Sequence, residues 1–234
     1  MSVALITGGS AGLGRALTLA LAEQAWTVVT DARSSDRLAT VSGERVITVV
    51  GDLTDADHRA ILGEQVDRLG RLDLLVHNAS TLGPLPLHPL RDLSAAGLAA
   101  VWRVNVGAPL ALTQLLLPHL LASRGVLMTI SSDAAVEHYP TWGVYGASKA
   151  AADHLTLTFA AEEGLLGYAV DPGDMQTQMQ SDAFPGEDIS DRPSPETVVP
   201  RLLALLRHRP PSGRYRAADI ETGCSQPTIA GRVR

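Results

Sequence analysis

The 234-residue sequence contains one cysteine, Cys224, and one lysine, Lys149. A lone cysteine can form neither an intrachain disulfide nor a cysteine cage for zinc, which excludes disulfide scaffolds and zinc fingers. No Glu-x-x-His or His-x-x-x-His pair points to a metal site. No uninterrupted apolar run reaches the roughly 18 residues that span a bilayer, so no membrane partner is expected. The opening Met1-Ser2-Val3-Ala4-Leu5-Ile6-Thr7 lacks the basic segment of a secretory signal, so the cytoplasm is the expected compartment. Positive charge is also scarce: 19 basic residues stand against 25 acidic ones, a net charge of −6. That balance disfavours nucleic acid as a partner. What the chain does have is apolar material, 45% of its residues, enough for a substantial core.

Short apolar runs alternate with longer segments of helical period. Val3–Thr7, Trp26–Thr30, Val46–Val50, Leu72–His77, Val126–Ile130, Tyr168–Val170 and Arg214–Ile220 read as strands. Leu13–Gln24, Asp55–Leu69, Ser94–Leu121, Val144–Glu163 and Pro195–Arg207 read as helices, the third kinked or interrupted at Pro109 and Pro118. The strands are apolar throughout rather than alternating, as a sheet covered on both faces requires. The pattern predicts an α/β fold: a doubly wound, mostly parallel Rossmann-type sheet with helices on both faces. One domain over 1–220 is expected, with an irregular loop at 173–194 and a polar tail at 221–234 in which Cys224 lies. The arginines at 201, 207, 209, 214 and 216 read as a solvated face or a subunit contact. His58, His88, His119, His154 and His208 receive no role.

Thr7-Gly8-Gly9-Ser10-Ala11-Gly12-Leu13-Gly14 joins the first strand to the first helix. Glycines there allow a sharp turn and close approach to a pyrophosphate, at which the helix N-terminus aims its N–H groups. Thr-Gly-x-x-x-Gly-x-Gly at this place resembles the short-chain dehydrogenase/reductase family, and the resemblance runs from Val3 to about Ile220. It implies that Gly8, Ser10, Gly12, Leu13 and Gly14 hold the cofactor. It also implies that Asp52, with Leu53, meets the adenine, and that Asn78-Ala79 supports the sheet beside the cofactor. His77 and Ser80 stand where the family has Asn and Gly, a departure expected to touch local geometry rather than chemistry. Asn105 matches the catalytic asparagine whose helix kink positions a water. Ser132 matches the catalytic serine, thirteen residues before the tyrosine. Tyr145-Gly146-Ala147-Ser148-Lys149 matches Tyr-x-x-x-Lys, and Pro172-Gly173 with Thr177 matches the segment around the nicotinamide.

The residues make chemical sense by themselves. Tyr145 and Lys149, four apart on a helix, share a face. An ammonium within about 4–6 Å lowers a phenol's pKa and lets it exchange a proton with a substrate oxygen. Ser132 can donate to that oxygen, and the cofactor supplies hydride transfer. Lys149 being the only lysine argues against chance placement, and an arginine fork could not replace its compact charge.

Cofactor choice is read at the end of the second strand, Val28-Val29-Thr30-Asp31-Ala32-Arg33-Ser34. Ala32 occupies the place of the NAD-selecting acid, and Arg33 matches the NADP-binding arginine. Asp31, one residue early, points to the other face unless the register shifts by one. The reading favours NADP(H) over NAD(H) and an NADPH-dependent carbonyl reductase on a small-molecule carbonyl or alcohol substrate. An NAD-dependent alcohol dehydrogenase and a non-catalytic dinucleotide sensor are the alternatives. The 133–143 stretch, with His138, Tyr139 and Trp142, should wall the substrate pocket, and Met175, Met179 and Phe184 could form a lid. The resemblance further implies a homodimer or homotetramer.

Overall fold

A computed structural model describes residues 1–223; the part of the expected tail from Cys224 onward lies outside the described residues. Strands β1 (Val3–Ile6), β2 (Thr27–Ala32), β3 (Val46–Val50), β4 (Leu74–His77), β5 (Val126–Ile130), β6 (Leu166–Asp171) and β7 (Gly213–Arg216) form one sheet. Its order is β3-β2-β1-β4-β5-β6-β7, and all pairings between these strands are parallel. The strands are apolar because alternate residues enter two separate cores. Ala4, Ile6, Val76, Met128 and Tyr168 pack under helices α1 (Gly12–Glu23) and α8 (Val199–His208). Val3, Leu5, Leu75 and Leu127 pack under α3 (Ala56–Leu69) and α5 (Ala108–Ser123).

The C-terminal strand is shorter than expected, with Ala217–Asp219 forming a 3-10 turn instead. Two short helices break the expected loops: α2 (Ser35–Ala39), capped by Ser34, and α7 (Gln178–Ala183), capped by Thr177. Each cap hydroxyl accepts a backbone N–H of the first turn, a local signal in an otherwise aperiodic sequence.

The expected kink at Pro109 lies elsewhere. α4 (Ala95–Trp102) runs into a π-helical turn, Arg103–Gly107, and then α5. Pro109 sits in the first turn of α5, where no N–H is needed, and α5 continues through Pro118. The helix from Ala95 to Ser123 is continuous and, by length and composition, long and apolar enough to cross a membrane. Val101, Leu112, Leu116 and Leu120 are buried, whereas Leu98, Leu115 and Leu121 remain exposed. α6 (Gly143–Glu163) packs beside this helix.

Candidate active site

Strand order reverses between β1 and β4, and the crevice beyond their carboxyl ends is the topological switch point of the sheet. A cavity of about 900 Å³ occupies it. At its centre the chain leaves β1 through a turn that requires glycine: Gly8 has φ +71°. The N-terminus of α1 opens onto the cavity without a side-chain cap, so its first N–H groups are left for a ligand. Gly8, Ser10, Gly12 and Leu13 line the wall. Gly14 does not. It faces Asn78, whose side chain any Cβ there would strike, so its part is packing. Asn78 donates through Nδ2 to the carbonyls of Thr7 (2.9 Å) and Gly8 (3.2 Å), tying β4 to the turn.

Asp31 borders the cavity at the end of β2, but its carboxylate is turned under the glycine loop. Its Oδ1 accepts the Gly8 N–H at 2.9 Å, and its Oδ2 lies 2.9 Å from His58 Nε2. His58, given no role from sequence, is a buried partner of this carboxylate. Arg33, Ser34, Asp52 and Leu53 line the cavity beyond β2, and so does Arg37, which the sequence reading missed. Arg37 follows Arg33 by one helical turn, so the start of α2 was its only signal. Asp52 accepts from the Thr54 N–H and hydroxyl, both at 2.8 Å, which hold its carboxyl below the ordinary range.

At the opposite end, Ser132, Tyr145 and Lys149 line the same cavity. Lys149 Nζ donates to the Ile130 carbonyl at 2.9 Å and lies 5.6 Å from the Tyr145 ring centroid. Both side chains are buried. Burial pushes the Lys149 ammonium down to about 8 and the Tyr145 hydroxyl well above the phenol range. The expected lowering of the tyrosine by Lys149 is not among the causes acting on it. The opposing pull comes from hydrogen bonding with the Ser132 and Ser80 hydroxyls. Ser80, which departs from the family pattern, lines the same cavity. His77, buried, bonds Thr113 Oγ1 at 2.7 Å and is held neutral, its pKa pushed down to about 3 by burial and the Lys149 charge.

Asn105 stands behind the wall rather than in it. Its Nδ2 donates to the Thr81 carbonyl and Ser148 Oγ, both at 2.9 Å, and its Oδ1 accepts from the Thr81 N–H at 2.9 Å. Its side chain is fully engaged, so any water must be held by other atoms. Ser80 Oγ donates to the same Oδ1 at 3.3 Å. Pro172, Gly173 and Thr177 complete the wall, with Thr177 packed against Gly12. Tyr139, Trp142, Met175, Met179 and Phe184 also line it, and His138 does not. The Trp142 ring lies 5.6 Å from Tyr145 and 5.8 Å from Phe184.

The comparisons agree with this geometry. Residues 2–188 match the family model described as short chain dehydrogenase. The Saccharomyces cerevisiae protein named uncharacterized oxidoreductase YIR035C is 32% identical over 212 residues, covering 88% of this chain and 80% of that protein. A short chain dehydrogenase from Shigella flexneri, solved in complex with NADP, aligns with a TM-score of 0.86 at 30% identity. That alignment covers 93% of this chain and 97% of the other. One from Escherichia coli CFT073, solved with NADPH, aligns at 0.85 and 30%, covering 92% and 96%.

Proposed function

The chain belongs to the short-chain dehydrogenase family and is an NAD(P)-dependent oxidoreductase, and on that premise we propose that it is an NADPH-dependent carbonyl reductase. One observation carries the reading: Ser132, Tyr145 and Lys149 meet in one cavity with the uncapped N-terminus of α1. When bound, a nicotinamide cofactor supplies the hydride. Tyr145, kept protonated by burial, is the acid that gives its proton to the carbonyl oxygen. Ser132 donates a hydrogen bond to that oxygen. Lys149 anchors a ribose hydroxyl and keeps positive charge beside the phenol. Asn105, through Ser80 and Ser148, braces the helices around them.

Asp31 supports NADPH over NADH. An NAD-selecting acid must leave its carboxylate free for ribose hydroxyls, and here both oxygens are engaged by Gly8 and His58. Arg33 and Arg37, with Ser34, offer charge and hydrogen bonds to a 2′-phosphate. Relatives solved with NADP and NADPH support the same choice. The walls of Trp142, Phe184, Met179 and Leu82 suit a flat, apolar carbonyl compound. The exposed leucines of α4 and α5 fit the pairing of two copies into a homodimer, which can pair again into a tetramer. The cytoplasm remains the proposed compartment.

The test is oxidation of NADPH by the purified protein against ketones and aldehydes, with Tyr145→Phe as control. The variant is expected to bind NADPH normally and turn over nothing measurable. Turnover by Tyr145→Phe at the wild-type rate would refute the assignment.

A further inference from the structure

Arg214 was expected on a solvated face, yet from the edge strand β7 it reaches inward across β6. Its Nη2 donates to the main-chain carbonyl of Ser132 at 2.8 Å and lies 3.5 Å from Asp171 Oδ2. Its Nε donates to Asp153 Oδ2 at 3.3 Å. The three acceptors belong to three parts of the site. Ser132 carries the hydroxyl proposed to hold the substrate oxygen. Asp153 lies one helical turn beyond Lys149 on α6, and its Oδ2 also accepts from Ser131 Oγ at 2.6 Å. Asp171 ends β6, and its Oδ1 accepts the Gly173 N–H at 3.0 Å, where the 173–194 loop leaves the sheet.

Asp153 and Asp171 are 7% and 5% exposed. Two buried carboxylates facing one space repel each other and take up protons unless a cation stands between them. Burial already pushes the Asp153 carboxyl up, and its Oδ1 has no partner among the described residues. The guanidinium supplies charge and a planar fork that serves both carboxylates and the carbonyl at once, which an ammonium cannot.

We infer that Arg214 is a positioning residue that joins the Ser132 backbone, the Lys149 helix and the root of the 173–194 loop into one unit, so that the loop over the substrate and the serine beneath it are set together. The inference rests on the reductase reading of the same cavity. The alternative is an ion pair that only fastens β7 to the sheet.

The experiment compares Arg214→Met, Arg214→Lys and Asp171→Asn with wild type in kcat, carbonyl KM, NADPH Kd and thermal midpoint. Arg214→Met is expected to lower kcat roughly tenfold or more and to raise carbonyl KM severalfold, with NADPH Kd within about threefold because the adenosine end is untouched. Arg214→Lys should recover part of the lost kcat, and Asp171→Asn should move the constants in the same direction by a smaller factor. Arg214→Met with wild-type kcat and KM overturns the inference, as does equal loss of kcat and NADPH affinity. If Arg214→Met does not fold, wild-type constants in both other variants overturn it. If wild type reduces no carbonyl compound, the reductase reading fails instead. The positioning role is then read from hydrogen exchange at 172–180, which substitution of Arg214 should accelerate; unchanged exchange overturns it.

Discussion

Asp31 and Arg33 are separated by one residue, but Asp31 is the penultimate residue of β2 and Arg33 lies beyond its end, where the chain has left the strand. Asp31 turns under the glycine loop and holds Gly8, while Arg33 and Arg37 face the far end of the cavity. A charge-assisted hydrogen bond contributes about 1.5–3 kcal/mol. Arg33→Ala is therefore expected to weaken NADPH binding roughly tenfold or more and leave NADH binding nearly unchanged. Titration of intrinsic fluorescence with each cofactor checks this, and equal losses for both would contradict the assignment. Lys149 gives a pH prediction. Its folded value is lowered to about 8 from the ordinary 10.5. As pH rises above 8, the folded state releases this proton before the unfolded state does, so stability rises through that window. Relative to Lys149→Met, wild type should gain in urea midpoint between pH 8 and 10.5; a constant difference would show that the ammonium is not held down.

Ala95–Ser123 shows how one element serves two ends. The π-turn at Arg103–Gly107 brings Asn105 against Thr81 and Ser148 while the helix continues on both sides. Such turns insert one extra residue and re-aim the side chains around it. Beyond the turn, the buried stripe of Leu112, Leu116 and Leu120 holds the helix to the sheet, and Leu115 and Leu121 are left uncovered. If a second copy covers them, Leu115→Glu with Leu121→Glu is expected to yield a monomer by analytical ultracentrifugation. An unchanged sedimentation coefficient would point to a different face. The central strands β1, β4 and β5 were legible because a sheet with two covered faces makes them largely apolar, whereas edge strand β7 carries two arginines. The short helices α2 and α7 were not, since five or six residues are too few to show a period.

The molecule as a whole presents one cavity with charges of both signs along its wall. Arg33 and Arg37 stand at one end, and Asp133 and Asp174 line the wall at the other. Both carboxylates act on Tyr139, and Asp133 accepts its hydroxyl at 2.9 Å. On the proposed reading, the extra phosphate of NADPH meets the two arginines at the first end. Ligand that binds only the folded state stabilises it by RT ln(1 + [L]/Kd), about 2.7 kcal/mol at one hundred times Kd. NADPH at equal concentration should therefore raise the thermal midpoint more than NADH does. Equal shifts would remove the case for the 2′-phosphate.

The sequence by itself determined the succession of strands and long helices, the glycine turn, and the placing of Tyr145 and Lys149 on one helical face, because each depends on spacing within a single element. Only the tertiary structure decided which way the Asp31 carboxylate turns once His58 is beside it, that Asn105 is fully engaged by Ser80, Thr81 and Ser148, and that Arg214 reaches Ser132 from 82 residues away. Those contacts depend on which strands become neighbours. A polar side chain's partners are set by the burial that assembly imposes on it, and no local period encodes that.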